Sequence, residues 1–500
     1  MFFLRYIFIE IEQMFNHISL IKKKIDFMSD NESRNISLKK KIAFAFGEIG
    51  DNTAMQTFTF LIFTFYFAIV GVPILLIGGG FILWSLWNGI NDPLIGYLSD
   101  RTKTKWGRRI PWMAAATIPL AITMILLFTP PVDLNSPTIN FLYFILILIL
   151  FDTTYTAFNL NYNAVFSEMY VTVKARSSVG KVRISFVMVA LIFAFLLPTL
   201  IIENILGIIP DTDPAISDPN TLGQYQLTGI IAAIIIVVTY FVFLKWGVKE
   251  PKYISKDAET AMSFTKTLKN TFKNKSFQWF LIPALGTWIV INILPTLAPL
   301  FMTHVLDIED PIIIGILLAL EFIVAAISTP LWEKIRISKG ARMAGLIGIA
   351  VWIFPIIIFA FSVSIEMAFI VQIFNGIGLG GGLYFYDQCI AEIIDEDEIT
   401  HGTRRSGIYY AILNFFIRIS MIINFFLIMI VFSTTDWYNY TPNPGVNTIL
   451  GLQILMGVYP AIVLIISWIG MYYYPIKGEK LAENRRKLTE LHEKKLSALK

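Results

Sequence analysis

The sequence predicts an all-α membrane protein with twelve transmembrane helices in two six-helix bundles. Three observations support this fold class: an apolar composition, twelve apolar stretches of membrane-spanning length, and positive charge confined to alternate loops. Apolar residues make up 56% of the 500 residues and charged residues 15%, against about 25% charged residues in soluble domains. A soluble core of this size cannot hide so much apolar surface. The composition excludes a soluble enzyme and a nucleic-acid-binding module, and the single cysteine excludes a disulfide scaffold.

Each apolar stretch is expected to form a helix. A helical span needs about 20 residues, and in hydrocarbon every backbone N–H and C=O group must find its partner within the segment. The predicted spans are 42–70, 73–98, 110–130, 138–165, 183–205, 225–247, 277–304, 311–333, 343–363, 367–390, 407–432 and 449–474.

Positive charge predicts the orientation of these spans. All Lys and Arg residues except Arg418 lie in the two tails or in alternate connections. The remaining connections carry acids instead, such as Asp133, Asp211 and Asp307. The positive-inside rule therefore places both termini and the central loop in the cytoplasm of a cell-membrane protein, which requires the even number of spans that the sequence shows.

The spans fall into two sets of six, as expected of a transporter built from two bundles. The predicted parts are a cytoplasmic tail at 1–41, a first bundle at 42–247, a central loop at 248–276, a second bundle at 277–474 and a cytoplasmic tail at 475–500. Residues 1–27 are either an amphipathic interfacial helix or a misassigned start. We favour the second interpretation, with Met28 as the first residue.

Three segments carry most of the polar pattern: Asn91–Arg109, Tyr155–Glu168 and Asp395–Tyr410. Together they resemble the glycoside–pentoside–hexuronide:cation symporter family, the melibiose permease-like branch of the major facilitator superfamily. The resemblance extends over nearly all of residues 40–475. It implies the major facilitator fold and cation-coupled symport of a sugar or glycoside by alternating access.

A lysophospholipid or other amphiphile carrier is the alternative function. Some relatives in the same superfamily branch move lysophospholipids, and the very apolar spans 5, 6 and 9 suit an acyl chain. The chain lacks an ATP-binding motif, so we expect an ion gradient to supply the energy in either case, and we expect no enzyme activity.

The connection after span 2 has the composition of a gating loop. Gly96 allows a close approach between helices, and Gly107 permits a tight turn into span 3. Asp100 lies at a helix end within reach of Arg101 and Arg108. We interpret these residues as a charged latch that holds two helix ends together in one conformation.

Asp92 predicts a cation site, because a carboxylate inside a span costs several kcal/mol unless it faces a cavity or a partner. Asn88 lies four residues earlier on the same helix face and adds an amide oxygen. The resemblance implies Asn159 as a third ligand. Asn88 and Asn159 both stand where melibiose permease has carboxylates. With only one carboxylate present, H+ and Na+ both stay open as the coupling ion, and we favour H+.

Span 1 carries Glu48, Asp51 and Asn52, and such a polar face predicts a water-filled cavity. The resemblance implies sugar contacts for Asn52, Asn159 and Arg183. We therefore predict that Asp51, Asn52, Asn159 and Arg183 bind the substrate.

Arg418 joins this predicted substrate site. It is the only cation inside a span, so it must pair with a carboxylate or face water, and Asp92 is the first candidate. Glu321 and Asp387 are further acids in or near spans. Glu321 is expected either to bind a proton or a basic substrate or to pair within the second bundle.

The expected partners are a small-molecule solute and membrane lipid. The four histidines are scattered without ligand spacing, so neither a metal site nor a cofactor is expected beyond the coupling ion. We predict that the protein functions as a monomer.

Overall fold

The computed structural model describes residues 36–132, 136–170, 173–207, 219–250, 271–362, 364–402 and 406–497. Every regular element within these ranges is a helix. The predicted extension at 1–27 lies outside the described residues, as does most of the predicted central loop.

The first bundle contains six helices. α1 and α6 each continue into one π-helical turn, at Phe65–Ile69 and Phe243–Gly247. The helices are α1 (Leu38–Thr64), α2 (Ile74–Arg101), α3 (Ile110–Leu126), α4 (Pro137–Met169), α5 (Val173–Ile201) and α6 (Pro219–Val242).

The second bundle also contains six helices, followed by a charged C-terminal helix. A π-helical turn at Ile454–Val458 interrupts the last span. The helices are α7 (Lys275–His304), α8 (Pro311–Lys339), α9 (Ala341–Ala360), α10 (Ile365–His401), α11 (Ser406–Thr434), α12 (Val446–Tyr473) and α13 (Gly478–Ser497).

The predicted all-α membrane fold is confirmed. Ten of the described helices are long and apolar enough to cross a membrane, and α3 is a shorter apolar helix of 17 residues. α1 is 27 residues long, but Glu48, Asp51 and Asn52 lower its hydropathy. The twelve bundle helices thus agree with the twelve predicted spans.

Several helices extend beyond the predicted spans. α5 begins ten residues before its predicted start, and α10 continues to His401. Apolarity marks only the part of a helix that lies in hydrocarbon, whereas helical hydrogen bonding continues into the charged flanks. α10 ends where Gly402 adopts a left-handed φ of 74°, the usual conformation of a glycine that terminates a helix.

The helices run between two ends of the molecule with opposite charge. The basic end carries the loop 102–109, and the acidic end carries the loop 305–310 with Asp307, Glu309 and Asp310. Near the acidic end, α2 meets α11 through the parallel rings of Phe81 and Phe425, whose centroids are 3.8 Å apart. The two bundles are therefore packed together at this end.

A second contact between the bundles joins α5 to α8. The rings of Phe195 and Phe322 stack with their centroids 5.5 Å apart. A Cβ at Gly315 would lie 2.6 Å from the hydroxyl of Thr199, so the absence of a side chain allows α8 to approach α5 closely.

Glycines also hold the second bundle together. A Cβ added to Gly348 on α9 would lie 2.9 Å from the Cα of Gly381 on α10. Such a distance is too short for any side chain, because the neighbouring atom belongs to the backbone and cannot rotate away. The glycine-rich stretch 376–382 is therefore a helix-packing surface, as its place in an apolar helix predicts.

We expect Gly348→Leu to lower the thermal stability of the purified protein markedly. Forcing side-chain atoms into packed backbone costs about 1–3 kcal/mol or more. Melting in detergent, followed by size-exclusion fluorescence, measures the change. Gly79→Leu is the matched control, because a Cβ at Gly79 meets nothing within 4 Å. Equal melting temperatures for the two variants would contradict this packing account.

Candidate transport site

Helices α1 and α4 bring a carboxylate and an amide together in the middle of the first bundle. The side-chain nitrogen of Asn159 donates to both carboxylate oxygens of Asp51, at 2.9 Å each. The hydroxyl of Tyr155, one turn earlier on α4, donates to the same carboxylate at 3.3 Å. Asp51 is buried, so these hydrogen bonds replace the water that a carboxylate requires.

One turn earlier on α1, Glu48 anchors an arginine. Arg183 on α5 forms an ion pair and a hydrogen bond with Glu48. Glu48 also accepts from the hydroxyl of Tyr162 and from the amide of Asn52, both at 3.1 Å. Arg183 donates in addition to the exposed Asn163 at 3.1 Å. The pair is thus embedded in a continuous hydrogen-bond network across α1, α4 and α5.

Asp92 and Arg418 connect the two bundles. A terminal guanidinium nitrogen of Arg418 on α11 lies 2.9 Å from a carboxylate oxygen of Asp92 on α2. The other oxygen of Asp92 accepts from the hydroxyl of Thr156 at 3.2 Å. Both charged side chains are about one-quarter exposed, at 23% for Asp92 and 27% for Arg418. The predicted pairing of Arg418 with Asp92 is confirmed.

The structure adds a buried acid that the sequence reasoning missed. Asp152 on α4 accepts from the side-chain amides of Asn88 at 2.5 Å and Asn91 at 3.0 Å. It lies one turn before Thr156, the partner of Asp92, and Arg418 and Asp92 both act on it electrostatically. Its position directly after the apolar run 141–151 is the signal that could have identified it.

The three predicted cation ligands do not meet at one point. Asn88 binds Asp152, Asn159 binds Asp51, and Asp92 binds Arg418. They belong to separate hydrogen-bonded groups because each amide donates its N–H to the nearest carboxylate of a facing helix.

The residues predicted to bind substrate show a clearer grouping. The structure brings Asp51, Asn52, Asn159 and Arg183 together on neighbouring faces of α1, α4 and α5. Arg418 lies with Asp92 at the boundary between the bundles. The grouping arises because α1 places its polar residues on the side that faces α4 and α5.

The predicted gating loop is an ion-pair cluster in which Asp100 pairs with one of the two expected arginines, Arg108, and also with Arg109. Asp100 lies 2.6 Å from Arg109 and 3.9 Å from Arg108. Arg108 and Arg109 both contact Glu168 at the end of α4, at 2.7 and 3.3 Å. Arg101 instead lies over the ring of Tyr97. The cluster therefore joins the ends of α2, α3 and α4.

Glu250, which follows the π-helical turn at the end of α6, completes this cluster. Its carboxylate accepts from the backbone N–H groups of Arg108, Arg109 and Ile110, at 2.5–2.8 Å. A carboxylate satisfies the free N–H groups at a helix N-terminus and favours the positive end of its dipole. No local sequence pattern indicates this contact, because Glu250 is distant from the loop along the chain.

The two loop glycines have different roles. Gly107 has a φ of 110°, and a Cβ there would lie 2.3 Å from the carboxylate of Glu250, which supports the predicted tight turn. The expectation for Gly96 was wrong. A Cβ at Gly96 would make only an ordinary contact of 3.9 Å with Leu160, so the packing there does not require glycine.

Comparison with known proteins agrees with this fold. The chain belongs to the MFS/sugar transport protein family, whose model matches residues 43–478. It is therefore a multi-pass membrane transporter of the major facilitator superfamily and not an enzyme. The crystal structure of the nucleoside transporter NupG superimposes with a TM-score of 0.61 at 14% identity, covering 87% of this chain and 100% of that one.

Two sequence relatives cover most of the chain. An uncharacterized symporter of Synechocystis sp. is 21% identical and covers 91% of this chain and 98% of its own length. The sodium-dependent lysophosphatidylcholine symporter 1-A of Danio rerio is 22% identical, covering 80% of this chain and 79% of its own. The comparisons establish a transporter and leave its solute open.

We expect Arg109→Ala to loosen the basic end of the first bundle. Its side chain is only 9% exposed, and removing one partner from a buried ion pair costs about 3–5 kcal/mol. Hydrogen exchange of the first turns of α3 should rise by about 100-fold, which corresponds to about 3 kcal/mol. Arg101→Ala is the matched control, and an equal effect of both variants would contradict the assignment.

Proposed function

We propose that the protein is a cation-coupled symporter of a sugar or glycoside, in the glycoside–pentoside–hexuronide branch of its superfamily. It works by alternating access in the cell membrane, with both termini in the cytoplasm. The observation that carries the proposal is the Asp92–Arg418 pair, which bridges the two bundles beside a dense set of polar side chains. The name of the Synechocystis relative, a symporter, supports the transport mode.

The polar set suits a solute with many hydroxyl groups. Asp51 supplies acceptor oxygens, whereas Asn159 and Arg183 supply N–H donors. Tyr155 and Tyr162 add aromatic rings beside these groups. Hydroxyl groups both donate and accept, so a sugar can replace the present internal hydrogen bonds without leaving a buried polar group unpaired.

The coupling ion acts at Asp92 in this proposal. A proton or a sodium ion bound to the carboxylate neutralises it and removes its attraction for Arg418. The inter-bundle ion pair then breaks, and the arginine becomes available to the solute. The Nε of Arg418 already has no hydrogen-bond partner among the described residues. Ion and solute binding are linked in this way because both depend on the same guanidinium.

The position of Asp152 is further support for placing the coupling site in the region around Asp92. It adds a second carboxylate to the α2–α4 contact, one turn from Thr156. The two amides on Asp152 satisfy its oxygens but carry no charge. The site therefore contains two carboxyl groups beside one guanidinium group, and the second carboxyl group adds oxygens that can accept a proton or a cation.

A lysophospholipid or other amphiphile carrier is the second candidate. The Danio rerio relative is named a sodium-dependent lysophosphatidylcholine symporter, and another relative, from Xenopus tropicalis, is named a sphingosine-1-phosphate transporter. In that case Arg183 and Arg418 bind a phosphate group instead of hydroxyl groups.

Uptake into proteoliposomes tests the two candidates. The purified protein is reconstituted into proteoliposomes, and uptake of radiolabelled melibiose or lysophosphatidylcholine is measured under an inward gradient of H+ or of Na+. The proposal predicts gradient-driven accumulation of the disaccharide. Transfer of the lysophospholipid without sugar uptake would overturn the sugar assignment and establish the carrier.

We expect Asp92→Asn to abolish accumulation against a gradient while exchange of solute across the membrane persists. The amide keeps the size of the side chain but cannot bind the coupling ion as a charged ligand. Asp436→Asn, which removes a carboxylate from an exposed loop, is the control. Accumulation that survives Asp92→Asn would contradict coupling at this residue.

A further inference from the structure

A second buried carboxylate lies in the other bundle, away from the site described above. Glu321 on α8 accepts from the side-chain amide of Gln372 on α10 at 2.9 Å. Gln372 in turn accepts from the amide of Asn375 at 2.9 Å. All three residues are at most 2% exposed. Glu321 therefore pairs inside the second bundle, which is one of the two alternatives that its position predicts.

Two oxygens of this group have no hydrogen-bond partner among the described residues: Oε1 of Glu321 and Oδ1 of Asn375. Glu321, Gln372 and Asn375 line one narrow cavity between the helices of the second bundle, which is too small to hold a water molecule. Its other walls are six apolar side chains from α7, α8, α9 and α12. Two unsatisfied acceptor oxygens thus share an otherwise apolar cavity.

No Lys or Arg of the described residues forms an ion pair with Glu321, and among those residues only the amide of Gln372 donates a hydrogen bond to its carboxyl group. Phe195 on α5 stacks on Phe322, the residue that follows Glu321. Arg183 lies twelve residues before Phe195 on the same helix, which places it about 18 Å from Phe195 along the helix axis. The second-bundle helices packed around Glu321 carry these charged or histidine side chains: Lys275 and His304 on α7, Glu333, Lys334, Arg336 and Lys339 on α8, Arg342 on α9, and Glu366, Asp387, Glu392, Asp395, Glu396, Asp397, Glu398 and His401 on α10.

These groups lie away from the cavity. His304 on α7 is the nearest along the chain to a wall residue, and its Nε2 lies 3.4 Å from the hydroxyl of Tyr440. Glu366 is exposed at the start of α10. Arg342 contacts the backbone oxygen of Tyr472 at the basic end. None of them supplies a charge that neutralises Glu321.

An ionised carboxylate in this cavity would cost several kcal/mol, so its charge must be neutralised by a bound ion. A metal cation needs several oxygen ligands, and the cavity offers only two free oxygens. A proton needs one. Once bound to Oε1, it turns an unsatisfied acceptor into an O–H donor, and Asn375 supplies an unpartnered acceptor in the same cavity.

We propose that Glu321 is a proton-binding site in the second bundle, distinct from Asp92. It resides beside the contact of α8 with α5, where Phe322 stacks on Phe195. This contact must separate when the acidic end opens, and water then reaches the helix that carries Glu321. That last step rests on the proposed alternating access, whereas the proton site itself does not.

Infrared difference spectroscopy of the purified protein tests the site without any solute. The infrared spectra of the wild-type protein and of the Glu321→Gln variant are compared at neutral pH. The variant should lack one carbonyl band of a protonated carboxylic acid that the wild-type protein shows. That band should shift when the buffer is changed to D2O. Glu333→Gln, an exposed position on the same helix, should leave it unchanged.

The contradicting outcomes are equally specific. Loss of an ionised carboxylate band in Glu321→Gln, or a band that responds to sodium at fixed pH, would overturn the proton assignment. If the glutamine variant does not fold, Glu321→Asp must shift the frequency of the acid band, and an unshifted band would refute the site. Failure of sugar uptake changes none of these results, so the two proposals are tested separately.

Discussion

The ion pair between Asp92 and Arg418 is the interaction on which the transport account depends. Two opposite charges lie in the middle of apolar helices, where neither is tolerated alone. Each residue belongs to a different bundle, so the pair joins the two units that move relative to each other in the proposed alternating-access cycle. Whatever neutralises Asp92 also releases Arg418. A local change in charge is thereby connected to the contact between the bundles.

The two ends of the molecule are held by different forces. Aromatic rings and glycines pack the bundles together near the acidic end, as Phe81 does on Phe425. At the basic end, the ion pairs of Arg108 and Arg109 join helices within the first bundle. In the proposed alternating-access cycle, the first bundle moves as a rigid unit at its basic end, and the contacts near the acidic end break to form the opposite conformation.

The sequence predicted the helices and their grouping because hydrophobicity and charge act over whole segments. It also predicted the partner of Arg418, since few carboxylates in a membrane can balance a buried cation. The finer geometry needed the structure. Asn88 and Asn159 separate because each faces a different carboxylate, and the choice of Arg109 over Arg101 depends on how the loop turns. Glu250 is brought to that loop only by the packing of α6, so no local pattern could reveal it.

A double-mutant cycle on Asp92→Asn and Arg418→Gln tests the central claim most directly. The coupling free energy is measured from thermal unfolding of the four proteins, with and without the coupling ion. The account predicts a coupling of about 1 kcal/mol or more in the absence of the ion, falling towards zero when the ion saturates Asp92. A coupling energy that is the same under both conditions would show that the ion does not compete with Arg418, and would contradict the account.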